Sequence, residues 1–210
     1  MKDAYRYIAR IYDRLFGNVN KGLSLAGIRI FRPKKEMDIL DVGCGTGTHL
    51  ELYGRYGCNL YGIDRSLSML DMARARLGDS ARLESGDATS MPYEDRKFDL
   101  IISKLSLHEM SPQTRSGVLS EMKRVLRDDG HILLIDFHPG PYQPLQGWMS
   151  KVLIFFIELT AGVEHFKNYR QFMATKGFST LVTQNDLEVE KQNILGGGTF
   201  AICLVTHKKT

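Results

Sequence analysis

Between Met37 and Phe137 the chain alternates two hydrophobic periods. Short apolar runs at Met37–Val42, Asn59–Ile63, Phe98–Ser103 and His131–Phe137 have the length and composition of strands, and Ala81–Ser85 reads as a further strand between the second and fourth of the series. Between them, apolar residues recur every three or four positions, as helices require. Thr48 to Tyr56 is one such segment. A second follows Ser66, a good N-cap, and puts Leu70, Ala73 and Leu77 on one face before Gly78 stops it. A third opens with Ser111-Pro112, a cap with proline at the first helical position, and carries Val118, Leu119, Met122, Val125 and Leu126 on one stripe. Strands that alternate with helices predict an α/β fold, a doubly wound parallel sheet covered on both faces.

Outside this region the pattern changes. Residues 4–16 form an amphipathic helix with Tyr5, Ile8, Ile11, Tyr12 and Leu15 at helical spacing. After Phe137 the rhythm is broken by Pro139, Gly140, Pro141, Pro144 and Gly147, and an apolar stretch follows at 148–160. There Trp148, Val152, Phe155, Phe156 and Leu159 share a face, widened by Ile154 and Ile157 and interrupted by Lys151 and Glu158. That stretch is open to three readings: a buried lid, a homodimer interface, or a hydrophobic portal that touches a bilayer peripherally. A helix over 165–176 should end at Gly177. Leu187–Leu195 and Thr199–His207, joined by Gly196-Gly197-Gly198, predict an antiparallel hairpin. The expected organisation is a helical segment at 1–36 over one domain at 37–210, with an insertion at about 138–164.

Composition narrows the class. With 43% hydrophobic and 25% charged residues among 210, the chain has ordinary globular usage, which excludes disordered and collagen-like architectures. Its three cysteines, Cys44, Cys58 and Cys203, are scattered and favour a reducing compartment over a disulfide framework. The first residues lack the apolar core of a signal peptide and no run approaches a spanning length, so a cytoplasmic location is expected, with membrane contact at most peripheral. Charge is uneven: residues 1–35 hold nine Lys or Arg against two acidic residues, and the rest holds 19 against 22. A basic N-terminal helix suits an anionic surface. Without an aromatic strand platform it does not point to nucleic acid as a partner.

The residues with chemistry cluster at strand ends, where ligands bind in such sheets. The first strand runs into Asp41-Val42-Gly43-Cys44-Gly45-Thr46-Gly47. Three alternate glycines let the backbone approach a ligand, and the helix N-terminus that follows favours a negative group. A dinucleotide fingerprint needs glycine where Thr48 stands, and the phosphate-loop pattern is absent. Asp41 suits an ammonium or sulfonium better than a pyrophosphate. Asp64, at the end of the second strand, can accept from both hydroxyls of a ribose, and Asp87 after the third can accept from an adenine amino group. His108, His138 and His165 are the candidate general bases, with Tyr142 and Tyr169 weaker. Cys44, His49 and Cys58 lack zinc-site spacing, so no metal is expected.

The segments ILDVGCGTGTHL (39–50), YGIDRSLSML (61–70), SGDATSMPYEDRKFDLIISKLSLHEM (85–110) and EMKRVLRDDGHILLIDF (121–137) resemble the successive motifs of class I S-adenosylmethionine-dependent methyltransferases. Within them the chain is similar to the small-molecule branch typified by quinone biosynthesis. The resemblance covers about residues 37–137. It implies a seven-stranded mixed sheet with an antiparallel last strand and S-adenosylmethionine as cofactor. It also implies roles: Gly43, Cys44, Gly45 and Gly47 around the methionine moiety, Asp41 on its amino group, and Asp64 on the ribose. Arg65 would lie against the adenine, Asp87 and the Ala88 amide would read the adenine edge, and Ser103 and Lys104 would line the methionine end by backbone contacts. Tyr12 resembles a lid tyrosine. The acceptor implied is a hydrophobic small molecule such as an isoprenoid quinone or lipid. A cofactor-binding scaffold without turnover and an enzyme for polar metabolites stay open as alternatives.

Overall fold

The computed structural model describes residues 9–140, 154–155, 162–175 and 177–208. Seven strands form one sheet: β1 (Asp38–Val42), β2 (Asn59–Asp64), β3 (Ala81–Ser85), β4 (Phe98–Lys104), β5 (Leu126–Phe137), β6 (Leu187–Leu195) and β7 (Phe200–His207). Their order is β3-β2-β1-β4-β5-β7-β6. The first five run parallel, while β7 is antiparallel to both β5 and β6, with Leu134 opposite Cys203 and Gln192 opposite Cys203 from the other side. Chain order reverses between β1 and β4, which opens a crevice at their carboxyl ends.

The helices are α1 (Ala9–Ile30), α2 (Thr48–Gly54), α3 (Leu67–Leu77), α4 (Pro112–Val125), α5 (Val163–Ala174) and α6 (Phe178–Gln184). Because strand side chains alternate, the two faces of the sheet build separate cores. On one, Ile39, Leu100, Ile102, Leu133 and Ile135 pack with Leu23 and Ile28 of α1, Leu50 and Tyr53 of α2, and Leu70 and Leu77 of α3. On the other, Leu40, Val42, Ile101 and Leu134 pack with Val118, Leu119 and Met122 of α4, Phe172 of α5, and Leu181 and Val182 of α6. Among the described residues no helix is long and apolar enough to cross a membrane.

The caps behave as the sequence predicts: Ser66 accepts from the Met69 N–H, and Ser111 from the Thr114 N–H. Several boundaries need correction. α1 runs to Ile30, well beyond residue 16, and Leu23 and Ile28 on its second half are core residues. β5 begins at Leu126, which pairs with Phe98 ahead of a register shift, so the Asp128-Asp129-Gly130 turn lies within an irregular strand. α5 ends at Ala174 and Gly177 closes it, with φ 59° and its N–H donating to the Phe172 carbonyl at 3.3 Å; the same glycine precedes α6, a helix the sequence pattern did not signal. The readings placed on Tyr142, Trp148, Val152, Phe156, Ile157 and Leu159 lie outside the described residues.

Candidate functional site

The loop from β1 to α2 folds back on the end of β2. Gly43 and Cys44 both donate their N–H to the Ile63 carbonyl, at 2.9 and 3.2 Å. The three glycines, all at positive φ, have different neighbours. A Cβ on Gly43 would lie 2.9 Å from the Ser106 Cβ, and one on Gly47 would lie 2.8 Å from the Leu77 Cδ1, so both positions seat the loop against neighbouring elements. A Cβ on Gly45 would have nothing within 4 Å. That glycine faces open space at the crevice, where a ligand can approach the bare backbone.

Asp64 ties this loop together. Its Oδ2 accepts from the Gly45 N–H at 2.8 Å and its Oδ1 from the Ser66 N–H at 2.9 Å. The carboxylate therefore sits half-buried at the mouth of the crevice, held by backbone on both sides of β2's end. Cys44 turns inward, its sulfur packed where Gly62 has no side chain, and burial pushes its thiol well above the ordinary range. Only its backbone belongs to the loop surface.

Asp41 is 1% exposed and its Oδ1 has no hydrogen-bond partner. Burial raises its pKa from 3.8 to about 7; the Lys104 ammonium opposes that rise and the Asp64 charge adds to it. Lys104 turns its side chain into the crevice and donates from Nζ to the Ser24 Oγ of α1 at 3.3 Å, which pins α1 to the end of β4. Nearby, both nitrogens of His49 and the Tyr53 hydroxyl are also buried without partners, and burial, aided by the Lys104 charge, drives the His49 pKa down. A buried carboxylate oxygen without a donor is costly, and it suits a cationic ligand group.

The remaining cofactor candidates line the same edge. Asp87 is exposed and accepts at Oδ1 from the Thr89 N–H and hydroxyl, at 2.9 and 2.8 Å; those bonds, with the Arg65 charge, lower its pKa. The next residue, Ala88, is buried. Ser103 hydrogen-bonds through its hydroxyl to Ser106 Oγ at 2.7 Å, and Leu105 between them adopts φ 53°, a strained conformation for a leucine. Tyr12 lies in α1, and its side chain is outside the described ones.

The three histidines separate into two places. His108 stands in a 3-10 turn, Leu107–Glu109, and is 3% exposed. Its Nδ1 lies 2.6 Å from Asp136 Oδ1, and its backbone N–H donates to Asp136 Oδ2 at 3.1 Å. The His165 ring on α5 is centred 5.7 Å away. His138 faces elsewhere: protonated at Nδ1 it donates to the Gly198 carbonyl of the β6–β7 turn at 3.1 Å, and in the other tautomer Nδ1 accepts from the Gly140 N–H at 3.2 Å. Sequence reasoning missed Asp136, whose one signal was a charged residue inside the apolar run Ile132–Phe137. It also missed what fixes the turn. Arg115 donates to the carbonyls of Leu107 at 2.9 Å and Met110 at 2.8 Å, and Asn168 to that of Glu109 at 2.8 Å. Rings continue from His108 through Phe137, Tyr169 and Phe166 to Phe155, at centroid spacings of 4.6, 5.4, 6.4 and 5.1 Å.

This geometry agrees with what the chain resembles. A family model described as a methyltransferase domain matches residues 40–134. The chain is 28% identical over 165 residues to a demethylmenaquinone methyltransferase of Thermobifida fusca, covering 70% of this chain and 69% of that protein. It is 34% identical over 108 residues to another from Renibacterium salmoninarum, covering 50% of this chain and 44% of that one. A solved structure, a SAM-dependent methyltransferase from Aquifex aeolicus, superposes with TM-score 0.63 at 17% identity, covering 87% of this chain and 88% of that chain, and supports the fold. The matched part is thus about half to two thirds of the relatives' length. The orphaned Asp41 oxygen, the open face at Gly45 and the Asp64 carboxylate fit the ammonium, backbone approach and ribose of S-adenosylmethionine. With this sheet order and a methyltransferase-domain match over residues 40–134, the chain is similar to the class I S-adenosylmethionine-dependent methyltransferases, demethylmenaquinone methyltransferases among them.

Proposed function

We propose that this enzyme methylates a hydrophobic, ring-containing small molecule of the isoprenoid quinol class. The observation that carries this reading is the run of packed rings from exposed Phe155 to buried His108, a continuous apolar aromatic surface that leads to a polar group held by Asp136. The printed names of the curated relatives support the same acceptor class.

Bound in the crevice, S-adenosylmethionine supplies a methyl group on a sulfonium that needs little more than alignment with a nucleophile. In this reading the Gly43–Gly47 loop and Asp64 hold the adenosine and methionine parts, and Asp41 binds the ammonium. Asp136 fixes the His108 imidazole through Nδ1, so that Nε2 can accept a proton from an acceptor hydroxyl and make the ring more nucleophilic. The apolar rings exclude water from that pair. Incubation with demethylated quinols of graded tail length should release S-adenosylhomocysteine in proportion to acceptor. Turnover confined to polar metabolites, or absent with every acceptor while S-adenosylmethionine binds, would reject the assignment.

The raised pKa of Asp41 has a sign that can be checked. A carboxyl that keeps its proton to about 7 in the folded chain, against 3.8 ordinarily, adds stability that is full below the lower value and lost as pH rises through the upper one. Binding an ammonium needs the ionised form, so the cofactor should bind more tightly as pH rises. Calorimetry should show affinity increasing about tenfold between roughly pH 5.5 and 7, and Asp41→Asn should flatten that dependence.

The glycines offer a second test. Gly43→Ala meets Ser106 and carries positive φ, and should cost about 2–3 kcal/mol in denaturant unfolding. Gly45→Ala meets nothing and should cost only about 1 kcal/mol from its backbone. It should nevertheless weaken cofactor affinity by about tenfold or more, a loss of roughly 1.4 kcal/mol, because its methyl enters the ligand's space.

A further inference from the structure

Glu109 and His165 flank His108 and bind no part of the cofactor in the reading above. The ligating atoms of His108, Glu109 and His165 lie within 4.8 Å of one another, and His108 Nε2 is 3.9 Å from Glu109 Oε1. For three atoms so spaced some point lies within about 2.8 Å of all of them, and side-chain shifts of under about 1 Å would bring it to the 2.0–2.2 Å of zinc–nitrogen and zinc–oxygen bonds.

We propose that His108, Glu109 and His165 form a binding site for a divalent first-row metal ion such as Zn²⁺. Two independent features support it. Metal-bound histidines give their other ring N–H to a carboxylate, and Asp136 takes His108 Nδ1 at 2.6 Å, which directs Nε2 toward Glu109. The three groups are also held in place beforehand: Arg115 and Asn168 fix the carbonyls around the 3-10 turn, and Asn168 sits one helical turn from His165 on α5. Two histidines and one carboxylate leave coordination positions open, as in catalytic rather than structural zinc sites. An oxygen ligand from the acceptor fills one of them. That last point rests on the reading of the acceptor side given above, whereas ion binding itself does not. With an ion loaded, His108 Nε2 would be a ligand and could not take the acceptor's proton; the ion would instead lower the pKa of a bound acceptor hydroxyl, so that its proton is released to solvent.

The test uses the full chain without a histidine tag, stripped with a chelator and titrated with Co²⁺ while its visible absorption is read, then with Zn²⁺ in competition. One equivalent of Co²⁺ should bind with d–d bands typical of nitrogen and oxygen ligands, and Zn²⁺ should displace it. Glu109→Gln and His165→Ala, both at partly exposed positions, should each weaken binding at least tenfold, and Asp136→Asn by about 10- to 100-fold. His131→Ala, which removes a histidine paired with Glu190 at the other end of β5, should leave it unchanged. No absorption change, or equal binding by wild type, Glu109→Gln and His165→Ala with their thermal melts preserved, would overturn the site. Calorimetry with S-adenosylmethionine on the same samples keeps the two questions apart, because loss of the metal site leaves cofactor binding unchanged, whereas failure of the methyltransferase reading at its cofactor step abolishes that binding.

Discussion

Asp64→Ala should reduce S-adenosylmethionine affinity at least a hundredfold while leaving a folded protein. The carboxylate has two tasks in this account. It holds the Gly45 and Ser66 N–H groups at 2.8 and 2.9 Å, which shapes the loop, and it presents acceptor capacity to the ribose hydroxyls. Hydrogen bonds to a charged acceptor contribute about 1.5–3 kcal/mol each, so losing two ribose bonds corresponds to roughly 10²- to 10⁴-fold in affinity. Asp64→Asn keeps one oxygen and should fall between alanine and wild type. Unchanged calorimetric affinity in the alanine variant would remove the ribose assignment.

Asp136→Asn should leave cofactor affinity within about threefold and lower kcat by about 10²- to 10⁴-fold, the range of a positioned proton acceptor that loses its orientation. Asp136 is 1% exposed, and its carboxylate engages the His108 ring, the His108 N–H and the Phe137 N–H. An amide has one acceptor oxygen, so it keeps only one of the two backbone contacts and presents the ring with either a donor or a neutral acceptor. Asp136 acts through His108, so a plain packing role must be told apart from positioning. The pH–rate profile does this: positioning predicts a changed acidic limb in Asp136→Asn, whereas packing predicts an unchanged profile and a lowered melting temperature. His108→Gln should reduce kcat at least as far.

The parts of this fold legible in the sequence were those set by local chemistry. Ser66 and Ser111 announced their helices because a hydroxyl satisfies orphan N–H groups wherever it stands. Four of the five parallel strands showed as apolar runs because both faces of the sheet are covered there, whereas β3, at the sheet edge, is a mixed run with Arg82 and Glu84 exposed. Asp41, Gly43, Gly45, Gly47 and Asp64 were visible because a strand end, a glycine turn and a following carboxylate form one contiguous pattern. What escaped depended on tertiary packing. α6, in the polar and β-branched run Phe178–Gln184, has weak helical propensity and is held by Phe178, Leu181 and Val182 in the core. The first residues of β5 read as the end of a helix until Leu126 is paired with Phe98.

The site divides the same way. Lys104 reaches Ser24 from a position 80 residues on, so sequence offered no sign that α1 is fastened to the crevice. His108 and His165 were both candidates, but their juxtaposition, and the separation of His138, follow only from α5 packing on the 3-10 turn. Nothing in the sequence sets Arg115 apart; it is 2% exposed and its guanidinium stacks over Phe172, 4.9 Å from the ring centroid, while it binds the turn's carbonyls.

The most direct test of the central claim is calorimetric titration of the purified chain with S-adenosylmethionine, with NAD as the control. The account predicts one equivalent bound with micromolar affinity, strengthening as pH rises toward 7, and no heat from NAD. Binding of NAD, or S-adenosylmethionine affinity unaffected by both Asp64→Ala and Gly45→Ala, would contradict it.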